Sequence, residues 1–189
     1  MAFDHRSQFY DITRECGVPE SRIPALKKLL VQAAEHVERS RQLQGHTGVL
    51  IDGGDYGADA LASATGRGWW VGRPVELPGS RPLRFDGTRS IGSALTHWPT
   101  EHVVKCLVHY HPDDEFSLRL AQEQTVLELW EATRQSGNEL LLEIIPPRAL
   151  TPDGTADAAV LRAVKRFYNL GVKPEWWKLA PKPEQGWRD

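Results

Sequence analysis

Cysteine is scarce in this sequence: Cys16 and Cys106 are the only two, and they lie far apart. Such a pair builds neither a zinc-ligand spacing nor a disulfide framework, so a reducing compartment is the expectation. Charge of one sign is lacking as well. Lys and Arg total 23 against 25 Asp and Glu, a formal net charge of −2, which argues against a polyanion-binding surface and makes nucleic acid an unexpected partner. No apolar run approaches the ~18–20 residues of a membrane span. The N-terminal region, with Asp4, His5 and Arg6, has none of the apolar stretch of a secretory signal. A soluble, cytoplasmic protein with no membrane association is expected. Phosphate-binding glycine motifs are missing too, since GGDYG (53–57) is not G-x-G-x-x-G and no P-loop occurs. With 40% hydrophobic and 25% charged residues over 189 positions, what remains is an ordinary folded chain with a real core.

Two kinds of segment alternate along it. Short apolar or β-branched runs are AFD (2–4), GVLID (48–52), WWVGRPV (69–75), HVVKCLVHY (102–110), ELLLEII (139–145) and WWKLA (176–180). Between them lie helical patterns. In 23–43, Leu26, Leu29, Leu30, Ala33, Ala34 and Val37 recur at three- and four-residue steps, Ser21 is the expected N-cap, and the interleaved charges, Lys27 included, read as a solvated face. Further helices are expected over 115–136, stopped by Gly137, and 155–170, stopped by Gly171, with shorter ones over 56–64 and 90–97. Alternating strands and helices imply a parallel sheet, because parallel neighbours need a crossover connection. The expected fold class is α/β, of the (β/α)8 TIM-barrel type, with about six βα units present.

Ionisable residues fall at or within the apolar runs: Asp4, Asp52, Lys105, Glu143 and Lys178. A charge inside an apolar strand is costly unless it is paired or its pKa moves. Side chains alternate across a strand, so Lys105 shares a face with Val103, Leu107 and His109, Glu143 with Leu141 and Ile145, and Lys178 with Trp176 and Ala180. If those faces point inward, two ammonium groups and a carboxylate meet. That set suits imine chemistry: a free lysine titrates near ~10.4, a second cation with desolvation lowers that value and frees the amine, and a carboxylate carries protons. The plainer reading is a buried Lys–Glu pair that ties the sheet together. Of the paired tryptophans at 69–70 and 176–177, one of each is expected inside and one outside, and Cys106 is expected to be a buried small hydrophobe. His109 and His111, with Asp113 and Asp114, read as polar loop and pocket residues and not as metal ligands.

The motifs AFDHRSQF (2–9), GVLIDGGDYG (48–57), GRPVELPGSRPL (72–83), HVVKCLVHYHPDD (102–114), ELLLEIIPP (139–147) and GVKPEWWKL (171–179) are collinear. Together they resemble the 2-deoxy-5-keto-gluconate-6-phosphate aldolase domain of inositol catabolism, often fused to a 5-dehydro-2-deoxygluconokinase. They are more distantly similar to class I tagatose-1,6-bisphosphate aldolases, which are (β/α)8 barrels. The resemblance implies Lys178 as the Schiff-base lysine, Lys105 as the neighbouring cation and Glu143 as the proton shuttle. It also implies that Asp4, Arg6 and Asp52 line the mouth. It further implies a sugar-phosphate substrate cleaved without metal or cofactor. For its two anionic ends Arg73 and Arg81, in the Gly-, Pro- and Arg-rich stretch 66–99 that reads as a long βα loop, are the candidate clamps, with His109 as a further pocket residue.

A complete barrel of this kind takes ~250 residues. The expectation is therefore a partial aldolase-like domain over 1–180 with a tail over 181–189. The last two strands are expected to be missing, with Met1 within the first strand. Association with a second copy or with a sugar kinase, and a non-catalytic sugar-phosphate-binding remnant, stay open as alternatives.

Overall fold

A computed structural model of the chain describes residues 1–54, 56–152 and 154–181. Apart from Pro181, the expected tail lies outside the described residues. In chain order the elements are α1 (Ser7–Glu15), α2 (Ile23–Arg41), β1 (Gly48–Leu50), α3 (Ala58–Ala64), β2 (Trp70–Pro74), α4 (Ile91–Leu95), β3 (His102–Val108), α5 (Phe116–Ser136), β4 (Leu140–Ile144), α6 (Ala156–Asn169) and β5 (Trp176–Lys178). The five strands form one parallel sheet in the order of the sequence. Sequential parallel neighbours joined by helices are the connectivity of a barrel wall, in contrast to the reversed order of a doubly wound sheet. The first expected strand, AFD, is reduced to an isolated parallel bridge between Ala2 and Leu50.

Alternation along the strands sorts the two faces. Even-numbered residues of β3 and β4, among them Val104, Cys106, Val108, Leu140, Leu142 and Ile144, pack outward against Val126 and Leu129 of α5 and Phe167 of α6. Val49, Ile51 and Val71 do the same against Val31 of α2 and Leu61 of α3. Each fully buried side chain of this size contributes roughly 1.5–3 kcal/mol. The other face is concave: the indoles of Trp70 on β2 and Trp176 on β5 meet edge to face, 5.7 Å between centroids, although two strands separate them in the sheet. The sheet is thus curled into a half-barrel with helices outside. Each tryptophan pair is divided as expected, Trp69 and Trp177 toward the helices and their neighbours toward the inside.

Helix ends follow local chemistry. The Glu115 carboxylate accepts from the Ser117 and Leu118 amides at the start of α5, and Ser90 caps α4 by accepting from the Ser93 amide. Gly137 and Gly171 take the left-handed conformation after α5 and α6, where a side chain would be strained. Helix α1 is an element that the sequence reading missed.

The face of α2 is a correction to the sequence reading. Ser21 lies in a 3-10 turn and caps nothing; the helix starts after Arg22. Its buried stripe is Ile23, Lys27 and Val31, while Leu26, Leu29 and Val37 of the expected apolar stripe are exposed. Lys27 is only 1% exposed: its ammonium is ion-paired with Asp52, donates to the His5 carbonyl at 3.0 Å and lies over the Phe9 ring. The helix is rolled toward this charge pair because Asp52, buried at the end of β1, needs a cation more than Leu29 needs cover.

Removing one partner of a buried pair strands the other, at a cost of about 3–5 kcal/mol. Lys27→Met should lower unfolding stability by about that amount in urea, and Lys27→Met combined with Asp52→Leu should recover most of it. A loss under about 1 kcal/mol in the single variant would mean that the pair does not hold the helix.

Candidate active site

The curl of the sheet carries the inward residues of β3, β4 and β5 to one place at their C-terminal ends. Glu143 and Lys178 are direct register partners on adjacent strands, and the Lys178 ammonium donates to Glu143 Oε2 at 2.9 Å. The same oxygen lies 3.6 Å from Lys105 Nζ. Lys105 in turn donates to Glu76 Oε1 at 2.8 Å and lies 3.4 Å from Asp4 Oδ2. Lys105, Glu143, Lys178 and Asp4 are therefore assembled as one group: an ammonium surrounded by three carboxylates, with a second ammonium on the outermost of them. Burial alone would push the Lys105 amine down, but the carboxylates of Glu76, Asp4 and Glu143 outweigh it and hold the pKa above its ordinary value. Lys105 is a persistent cation. Lys178 has a side chain 39% exposed, against 4% for Lys105, so it is the amine that a ligand can reach.

Glu76 is the member that sequence reading missed. It follows β2 by two residues and shares the parity of Pro74, the register partner of Lys105, so the alternation argument used for Lys105 also reaches it. Its Oε2 is buried without a hydrogen-bond partner. That leaves an acceptor at the base of the group that the protein does not use.

Two cavities flank this group. One, of about 970 Å³, is lined by Glu143 and Lys178 together with Trp177, Pro146 and the Val160, Leu161 and Val164 side of α6. The other, of about 480 Å³, lies at the ends of β1 and β2 and includes Arg6, Lys27, Asp52 and Arg73. The predicted residues are thus divided between two openings. Arg6 bridges toward the group by donating to the Glu76 carbonyl at 2.9 Å, and its other terminal nitrogen pairs with Asp86 at 2.6 Å. Asp52 is engaged by Lys27. Arg73 lies within β2 and not in the following loop; it alternates with Val71 and Val75, which enter the helix-covered cores. It therefore leaves the sheet on the face opposite Lys105. Arg81 is tied to Asp114 and to the His109 carbonyl, and neither Arg81 nor His109 lines either cavity among the described residues.

Other buried ionisable groups belong to the scaffold. Burial drives the Cys106 thiol well above its ordinary value, which keeps it an inert thiol on the helix-covered side. Burial works to raise Glu123, but Arg166 holds it in a two-pronged pair and Tyr110 donates to it, so its carboxyl lies below the usual range. This pins α6 to α5.

A curled parallel sheet with helices on its convex side, charged at the strand ends, defines an α/β protein with an incomplete TIM-barrel-like fold. The chain belongs to the family described as "Uncharacterized protein conserved in bacteria (DUF2090)", which matches residues 1–189. Comparison with curated proteins gives no match. Among the described residues no helix is long and apolar enough to cross a membrane.

His102, buried at the start of β3 beside Trp98, provides a pH test of the scaffold. Its Nε2 lies 2.9 Å from the Thr65 hydroxyl and its Nδ1 has no partner. Burial first, and the nearby Arg73 charge second, hold its pKa below the ordinary value. The unfolded chain, titrating near about 6.5, therefore takes up this proton before the folded one does. The stability contribution is complete above that pH and declines as pH falls below it. Unfolding free energies measured from pH 7 down to pH 5 should fall less steeply for His102→Gln than for the wild type; equal slopes would contradict the assignment.

Proposed function

We propose that this chain is a class I, imine-forming aldolase that cleaves 2-deoxy-5-keto-gluconate 6-phosphate to dihydroxyacetone phosphate and malonic semialdehyde. The observation that carries this reading is that one carboxylate oxygen, Glu143 Oε2, lies in reach of both a buried lysine and an accessible one. A structural Lys–Glu pair needs only one cation. Here Lys105 is already satisfied by three carboxylates, and the second lysine sits in the wall of a cavity large enough for a sugar phosphate.

In the proposed reaction, Lys178 Nζ gives a proton to Glu143 and attacks the C5 ketone. Glu143 returns the proton to the carbinolamine oxygen, which leaves as water, and the protonated imine forms. Glu143 then takes the proton of the C3 hydroxyl as the C3–C4 bond breaks. The C3 fragment leaves as malonic semialdehyde, and the electron pair of the bond passes into the enamine on Lys178. Protonation of the enamine carbon and hydrolysis release dihydroxyacetone phosphate and the free lysine. Lys105 stays protonated throughout and stabilises the anionic form of Glu143 and the oxygen that develops charge. Asp4 and Glu76 keep Lys105 charged and in position.

Borohydride treatment in the presence of dihydroxyacetone phosphate should fix a three-carbon adduct on Lys178, read by peptide mass. Lys178→Ala should abolish the adduct while leaving the urea unfolding midpoint within the range of ordinary surface changes, about 0.5 kcal/mol. Glu143→Gln should slow trapping by roughly 10²–10⁴-fold. No adduct on the wild type, or an adduct that persists on another lysine in Lys178→Ala, refutes the reading.

A further inference from the structure

Among the described residues, the lining of the cavity at the ends of β1 and β2 carries an unbalanced charge. Its described ionisable lining consists of Arg6, Lys27, Asp52, Arg73 and Asp86, with the phenols Tyr10 and Tyr56. Lys27 is paired with Asp52 and Arg6 with Asp86. Arg73 is the cation left over: its guanidinium makes neither an ion pair nor a hydrogen bond within the described structure, and its polar-face contact is the Trp98 indole, 3.9 Å from the ring centroid. It is seated closely. A Cβ on Gly53 would overlap the guanidinium, so this seat exists only because residue 53 is glycine. A half-buried cation with no anion among the described residues, seated between Gly53 and the Trp98 indole and lining an open volume of about 480 Å³, is a site arranged for a ligand's charge.

We propose that this cavity binds the carboxylate group of a small organic acid, gripped by Arg73. Trp98 covers one face of the guanidinium, and the planar fork of an arginine matches the two oxygens of a carboxylate. Over the described lining the balance is one positive charge. A carboxylate cancels it, whereas a phosphate dianion would leave a negative charge uncompensated in a partly desolvated space. Phe9, Ile23 and Ile91 supply apolar wall for the carbon chain of the acid. Because Arg73 leaves the sheet on the face opposite Lys105, this site is separate from the Lys178 amine. It does not depend on imine chemistry.

The test uses the full chain, with sodium propionate and inorganic phosphate as the probes and the Trp98 indole N–H resonance as the reporter. Propionate should shift that resonance saturably and bind more tightly than phosphate. Arg73→Gln should weaken propionate at least about tenfold, the equivalent of roughly 1.4 kcal/mol, while Arg148→Gln, elsewhere on the surface, should not. Should Arg73→Gln fail to fold, Arg73→Lys, which keeps the charge and loses the fork, should weaken propionate by roughly threefold or more. Lys178→Ala should bind propionate as the wild type does, so loss of imine trapping and loss of this site are separately readable. Absence of saturable propionate binding, tighter binding of phosphate, or unchanged propionate affinity in the Arg73 variants overturns the proposal.

Discussion

The structure depends on how one buried ammonium is neutralised. Lys105 stands on the central strand of the sheet, on its concave face, and an isolated charge buried there would be prohibitively costly. Its three carboxylates come from three other places in the chain: Asp4 before α1, Glu76 after β2 and Glu143 on β4. For all of them to reach one nitrogen, the sheet has to curl and the N-terminal segment has to return against β1. Desolvation makes the requirement strict, because a carboxylate left behind in the interior is as costly as the ammonium. The charge group is thus a constraint on topology as well as a feature of the site.

Much of this arrangement can be read in the sequence, because it follows from a period of two. Lys105, Glu143 and Lys178 each sit in an apolar run, and alternation alone puts them on a common face once the strands are taken as parallel and adjacent. The capping residues of α5, and the glycines that end α5 and α6, are equally local signals. Failures occur where tertiary charge pairing overrides a local pattern. In α2 the leucine stripe predicts one buried face, yet the helix turns Lys27 inward to meet Asp52, and three apolar side chains go to the surface. No helical periodicity contains the information that an aspartate 25 residues away lacks a partner. Glu76 was overlooked for the opposite reason: it lies just past a strand, where parity still holds but the apolar run has stopped. Arg73 was placed in a loop because its neighbours are glycine and proline, although both pack well at the end of a strand.

Functionally, two cavities divide the chemistry. The concave face gathers five charged groups and exposes one amine to the larger cavity, the geometry that the proposed imine reaction requires. In the smaller cavity, at the ends of β1 and β2, charge pairs engage every described cation but Arg73. Arg6 contributes to both, pairing with Asp86 at the smaller cavity and donating to the backbone of Glu76 beside Lys105. An anion drawn to one opening is therefore only a few bonds from the support of the other group.

The most direct test of the central claim follows the side-chain nitrogen of Lys105 by NMR through an alkaline titration. The account predicts that this ammonium remains protonated at about 10.4, where a free lysine is half titrated, and that Glu76→Gln brings its midpoint down. A Lys105 amine that loses its proton below the ordinary lysine range, or one indifferent to Glu76, would contradict it.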